Sequence, residues 1–252
     1  MGETAPVTSD PTADPSSGPG APGPLALIGS GEYLPVMLDI ERDLMAGRGD
    51  RYVQLATAAA PEGDGSLLRW HSLGAQQAAR LGAEQVVVDV RTREDAYDEG
   101  LAALVEGAAL VYLSGGNPVH LADTLRGTPV WDAIRTAWQS GAALAGCSAG
   151  AMAMSGWVPS LRHPRSGAVD GLGVLPHVRV IPHFDRMAGW MPDIIGRYLV
   201  PEAEGATVVG VDEDTALVGG PHEWTVRGRQ RVWVLTHQGR TAYADGEVLV
   251  TP

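Results

Sequence analysis

Five short apolar runs recur between residues 25 and 145, with stretches of helical spacing between them, and this alternation constrains the fold more than any other feature. The runs cover residues 25–28, 52–55, 86–90, 109–113 and 142–145. They are too short for helices and show no apolar-polar alternation, as expected of strands covered on both faces. Residues 66–81, 93–105 and 130–140 instead space their apolar side chains three and four apart, the period of a helix packing one face. The expected architecture is therefore α/β: a three-layer, doubly wound, mostly parallel sheet between helices. After the runs at 180–181 and 208–211 the pattern changes. Residues 224–226, 231–236 and 241–250 alternate apolar and polar, with Gly228, Gly239 and Gly246 at turns. Antiparallel strands should close that edge of the sheet.

Residues 1–23 mix proline, glycine, serine, threonine and acids with almost no large apolar side chain, and read as a disordered tail. Residues 24–252 then form one domain, since 44% hydrophobic and 19% charged residues suffice for a full core. The tail has neither the basic start nor the apolar segment of a signal peptide, and no stretch approaches the about 18 apolar residues of a membrane helix. A cytoplasmic protein with no membrane contact is expected. A net charge of −12 argues against nucleic acid, whose backbone demands clustered positive charge. Cys147 is the single cysteine, which excludes an internal disulfide and any multi-cysteine metal site.

Gly146-Cys147-Ser148-Ala149-Gly150-Ala151 directly follows the fifth apolar run. Glycines two residues either side of a serine suit a tight strand-to-helix turn that lifts the hydroxyl out of the packed layer, a nucleophile elbow. All 18 basic residues are arginine, so a serine-lysine dyad is impossible and an activated serine must use histidine. In an open parallel sheet ligands collect beyond the carboxyl ends of the strands. That rim receives Gly29-Ser30-Gly31-Glu32, Ser114-Gly115-Gly116-Asn117-Pro118, Ser148 and Pro182-His183-Phe184-Asp185. Gly29-Ser30-Gly31 is no dinucleotide fingerprint, because the position of the third glycine is Leu34. The Gly115-Gly116 pair reads either as an ordinary turn or as an oxyanion hole, with the N–H of Ala149 as second donor. Among seven histidines, His183 ends an apolar run downstream of the serine, and His120 is the next candidate for the base. Asp212, Glu213 and Asp214 together end another run, and any of them could orient the imidazole.

Gly115-Gly116-Asn117, the Gly-x-Ser-Ala-Gly-Ala elbow, Pro182-His183-Phe184-Asp185 and the segment from Gly210 to Leu217 together resemble the serine peptidase family of aspartyl dipeptidase (peptidase E) and cyanophycinase. The resemblance implies a class I glutamine amidotransferase-like fold, a Ser-His-Glu triad, no metal and no cofactor. It makes Ser148 the nucleophile, His183 the base and Glu213 the orienting acid, with Gly116 and Ala149 as oxyanion donors. It also implies a small peptide or amide substrate and a homodimer. Asn117, Asp185, Arg186 and Glu32 become substrate-binding candidates: Arg186, together with Arg197, for a carboxylate, and Glu32 or Asp185 for an amino group. The chain departs from cyanophycinases in having Pro182 rather than glutamine before the histidine. Cysteine takes the middle elbow position in the amidotransferases, whereas here Cys147 occupies the variable site before it and reads as a small buried hydrophobe. Residues 157–171 could form a lid. A catalytically inactive binding protein on the same scaffold is the alternative reading.

Overall fold

A computed structural model describes residues 21–159, 168–190 and 205–252. Most of the expected tail, the centre of the expected lid and Arg197 lie outside the described residues.

The five apolar runs become five parallel strands: β1 (Leu25–Ile28), β2 (Arg51–Leu55), β3 (Glu84–Val87), β4 (Leu110–Leu113) and β5 (Ala143–Cys147). They lie side by side in the order β1-β5-β4-β2-β3. Successive residues of a strand point to opposite faces, and here both sets are apolar. Leu25, Leu27, Val53, Leu55, Val111, Leu113 and Leu144 enter one core, whereas Ala26, Ile28, Tyr52, Leu110, Tyr112, Ala143 and Ala145 enter the other. Helices α1 (Leu38–Met45) and α2 (Asp64–Leu81) cover the second face. Short α3 (Glu99–Ala103), α4 (Pro118–Leu125), α5 (Pro129–Gln139) and α6 (Ala149–Ala153) cover the first. This is the three-layer α/β arrangement expected.

The helix expected over residues 93–105 is broken into a 3-10 turn, Asp95–Tyr97, and α3. Asp98 accounts for the restart, because its carboxylate accepts from the N–H groups of Gly100 and Leu101 and caps a new helix. The third run is a strand only over Glu84–Val87.

The carboxyl-terminal part differs more from expectation. The runs at 180–181 and 208–211 do not extend the central sheet. They become β8 (Val178–Ile181) and β9 (Thr207–Val211), a parallel pair inside a separate four-stranded sheet. Between α6 and that pair lies a small hairpin, β6 (Trp157–Pro159) with β7 (Ala168–Asp170). The segment Thr215–Gly219, quoted above only as part of a motif, is strand β10 and pairs antiparallel with β1. Strand β11 (Glu223–Gly228) continues that edge, β12 (Val232–Thr236) and β13 (Gly239–Tyr243) return to β9, and β14 (Val248–Val250) closes the larger sheet. The larger sheet thus has eight strands and is parallel in its centre, with three antiparallel strands at one edge.

Candidate active site

Ser148 follows β5 directly, and its backbone adopts φ 51° and ψ −109°, a conformation a side-chain-bearing residue avoids unless its surroundings enforce it. The enforcement is visible on both sides. The Ser148 N–H bonds the carbonyl of Ile28 at 2.9 Å, extending the β1-β5 ladder, while its carbonyl accepts from Met152 at 3.1 Å and starts α6. The elbow glycines are required by space. A side-chain carbon on Gly146 would lie 2.5 Å from the Gly150 carbonyl carbon, and one on Gly150 would lie 2.2 Å from the Leu113 carbonyl oxygen.

His183 stands two residues beyond β8, and Glu213 two beyond β9. The β8-β9 register sets Ile181 beside Gly210, so both residues leave adjacent strands at the same end. The chain then bends through Asp214, at φ 54°, into β10 and joins the larger sheet. There the Gly29 N–H bonds the Thr215 carbonyl at 3.0 Å, so the end of β1 is flanked by Ser148 on one side and by the bend after Glu213 on the other. As a result Ser148 Oγ lies 3.0 Å from His183 Nε2, and His183 Nδ1 lies 3.0 Å from Glu213 Oε1. A hydroxyl, imidazole and carboxylate in this order can pass a proton from the serine to the ring while the carboxylate holds the ring's tautomer.

The competing assignments have other partners. His120 Nε2 sits 3.0 Å from the Arg91 carbonyl and 3.5 Å from Thr124 Oγ1. The buried Asp212 accepts from Trp233 Nε1 on both carboxylate oxygens and from the Arg231 N–H. Burial holds the Asp212 pKa above the usual carboxylate value despite these donors. Cys147 is fully buried, and burial pushes its thiol well above the ordinary range, with the neighbouring Glu32 carboxylate adding to the shift.

The oxyanion candidates flank the serine. Gly116 has φ 136°, and a side-chain carbon there would meet the Ala58 carbonyl oxygen at 2.3 Å, so glycine is required on both counts. Ala149 opens α6, whose first N–H groups have no acceptor within the helix. Glu32 is close to Ser148. A point 3.4 Å from Ser148 Cβ, where a side chain on Gly115 would begin, is only 2.3 Å from Glu32 Oε1. The other binding candidates are more committed. Asn117 Oδ1 caps α4 by accepting from Val119 and His120, both at 3.1 Å, which leaves its Nδ2 for other work. Asp185 spends both carboxylate oxygens on protein groups, Glu213 N–H at 3.0 Å and Gln230 Nε2 at 3.4 Å. Arg186 Nε is 3.4 Å from Glu213 Oε2, and its side chain is 74% exposed.

A buried polar chain behind the site escaped the sequence reading. Gln54 Nε2 donates to Tyr33 Oη at 2.8 Å, which leaves the tyrosine proton for Ser114 Oγ at 2.5 Å, immediately before the Gly115-Gly116 loop. Gln230 was missed as well. No local pattern marks either, because each acquires its partners only through tertiary packing. Among the described residues no group of three or more His, Cys, Asp and Glu side chains could hold a metal ion, and no helix is long and apolar enough to cross a membrane.

The chain is similar to several known proteins. Cyanophycinase of Trichormus variabilis (strain ATCC 29413 / PCC 7937) is 34% identical over 187 residues, 67% of this chain and 61% of that protein. Cyanophycinase of Geminocystis herdmanii (strain PCC 6308) is 31% identical over 183 residues, 68% of this chain and 65% of that one. The matched region therefore spans less than two thirds of the curated relatives' length. The crystal structure of a peptidase from an acI-B1 Actinobacterium superimposes with a TM-score of 0.83 at 42% identity, covering 91% of this chain and 97% of that one. A Listeria monocytogenes EGD-e protein named after peptidase E shares the fold, with a TM-score of 0.61 at 15% identity over 83% of this chain and all of that one. Residues 29–225 match the model of peptidase family S51, and the chain belongs to that family.

Proposed function

We propose that this chain is a serine-type peptidase that hydrolyses small peptides or related amides through an acyl-enzyme. The observation that carries this reading is the hydrogen-bonded chain Ser148–His183–Glu213, with both links at 3.0 Å. Glu213 accepts the Nδ1 proton and so leaves Nε2 free to act as base. His183 takes the Ser148 proton as Oγ attacks the scissile carbonyl, and the N–H groups of Gly116 and Ala149 receive the developing oxyanion. The protonated imidazole then hands its proton to the leaving amine, and water repeats the sequence on the ester. No step needs a metal or cofactor.

The substrate is a short chain bearing charge. Glu32, beside the nucleophile, suits a substrate ammonium, and the outward guanidinium of Arg186 suits a carboxylate. The family resemblance of the sequence and the cyanophycinase relatives make aspartyl peptides the first class to try. The test is mass-spectrometric scoring of a dipeptide library containing α-aspartyl, isoaspartyl and β-aspartyl-arginine members, with wild type and Ser148→Ala side by side. Cleavage by wild type that disappears in the variant supports the proposal and names the preferred N-terminal residue. Turnover retained by purified Ser148→Ala overturns the serine mechanism. Two folded proteins that both leave the library intact would favour a binding role for the scaffold instead.

A further inference from the structure

Glu213 sits in a bend between two sheets, followed by a residue at φ 54°, so its own strand does little to fix it. Side chains from elsewhere hold its peptide groups. Asp185 Oδ1 accepts the Glu213 N–H at 3.0 Å. Gln230 Nε2 donates to the Glu213 carbonyl at 3.0 Å and reaches Asp185 Oδ2 at 3.4 Å, closing a ring around the residue. Thr215 Oγ1 adds a second donor to the same carbonyl at 3.1 Å and accepts from the Gln230 N–H at 3.0 Å. Asp185 lies in the first turn of α7 (Phe184–Trp190), two residues after His183. The residue that grips the acid is therefore carried by the same short segment that carries the base.

From this we infer that Asp185 and Gln230 are positioning residues that lock both peptide groups of Glu213 and so keep its carboxylate on His183 Nδ1. This rests on the triad reading above. It replaces the expectation that Asp185 binds a substrate amine, because both of its oxygens already have protein partners. Side-chain exposure of 22% for Asp185, against 74% for the neighbouring Arg186, is consistent with a brace rather than a ligand contact. Misplacement of a catalytic group by about 1 Å can cost about a hundredfold in rate, which sets the upper end of what losing one support should cost.

The experiment uses full-length protein and a fluorophosphonate that phosphonylates an activated serine, followed by intact mass over a concentration series to separate the limiting rate from half-saturation. Variants are Ser148→Ala, Glu213→Gln, Asp185→Ala, Asp185→Asn, Gln230→Ala and the double Asp185→Ala/Glu213→Gln. The expected results are a limiting rate reduced about 10- to 100-fold in Asp185→Ala with half-saturation unchanged, and a smaller loss in Gln230→Ala. Asp185→Asn, which keeps an oxygen for the Glu213 N–H, should recover most of the rate. The double variant should be no slower than Glu213→Gln alone, because the brace has no work once the carboxylate is gone. Thermal melting confirms that each variant is folded, and Gln230→Ala tests the brace independently should Asp185→Ala unfold. A wild-type rate in both Asp185→Ala and Gln230→Ala overturns the inference, as does a loss confined to half-saturation or a fully additive double variant. A probe that labels Ser148→Ala as fast as wild type, or fails to label wild type, overturns the triad reading itself.

Discussion

Glu41 is a carboxylate with no exposure to solvent, in the second core behind the site. Tyr52 donates to Oε2 at 3.2 Å, while Oε1 has no hydrogen-bond partner. Burial pushes its pKa from 4.5 up to about 7, against the smaller opposing effects of Gln77, Tyr52 and Arg80. The direction of the linkage follows from that rise. Below pH 4.5 folded and unfolded chains both carry the proton, and the group leaves stability unchanged. Between pH 4.5 and about 7 the unfolded chain releases it while the folded protein retains it, so stability falls as pH rises, and above about 7 the loss is complete. At about 1.4 kcal/mol per unit, the loss amounts to about 3 kcal/mol. Glu41→Gln removes the titration and adds only an offset that does not vary with pH. The variant should therefore gain on wild type by about 3 kcal/mol between pH 4.5 and pH 8, or about 6–12 °C in Tm for a chain of this size. Scanning calorimetry of both proteins at matched ionic strength measures the gap. A gap that is the same at both pH values, or that narrows as pH rises, refutes the reasoning.

Two further outcomes follow from the site. Gly116→Ala forces a side chain against the Ala58 carbonyl in a backbone conformation that only glycine tolerates, and steady-state kinetics should show kcat reduced about 100- to 1000-fold with KM little changed; a wild-type kcat would remove Gly116 from the oxyanion hole. Iodoacetamide should leave Cys147 unmodified in the native protein and alkylate it in guanidinium, as peptide mass mapping reports, because the thiol is fully buried and held in its neutral form.

The central sheet was legible because its strands are apolar on both faces, a pattern with few other uses. The serine elbow was legible because the required glycines and the position after β5 coincide. The second sheet was not, since the apolar stretches 180–181 and 208–211 do not say which sheet they join, and it is the β9-β12 pairing that separates them from the central strands. Helix α1 was overlooked because eight residues following Pro35 offer too short a period to stand out. His183 and His120 could not be ranked firmly by local sequence, since what separates them is a partner supplied by the fold, Ser148 for His183 and the Arg91 carbonyl for His120. Gln230 shows the limit most clearly. A glutamine in a turn between β11 and β12 carries no signal, and its partners come from a helix start and a bend far away in the chain.

Ser148 and its hydrogen-bond partners ride on different sheets, and the chain passes between those sheets repeatedly, at the bend after Glu213 and at the turns from β11 to β12 and from β13 to β14. Ser148 follows a central strand, while His183 and Glu213 leave a smaller sheet whose two faces pack differently: Val178, Val180, Val209, Val211 and Val232 join the main core, and Ile181, Phe184, Val208 and Leu235 pack with Met152 of α6, the helix that Ser148 starts. The smaller sheet cannot loosen without disturbing both the main core and the helix behind the elbow. Activity in this chain should therefore be lost on heating together with the whole fold rather than before it.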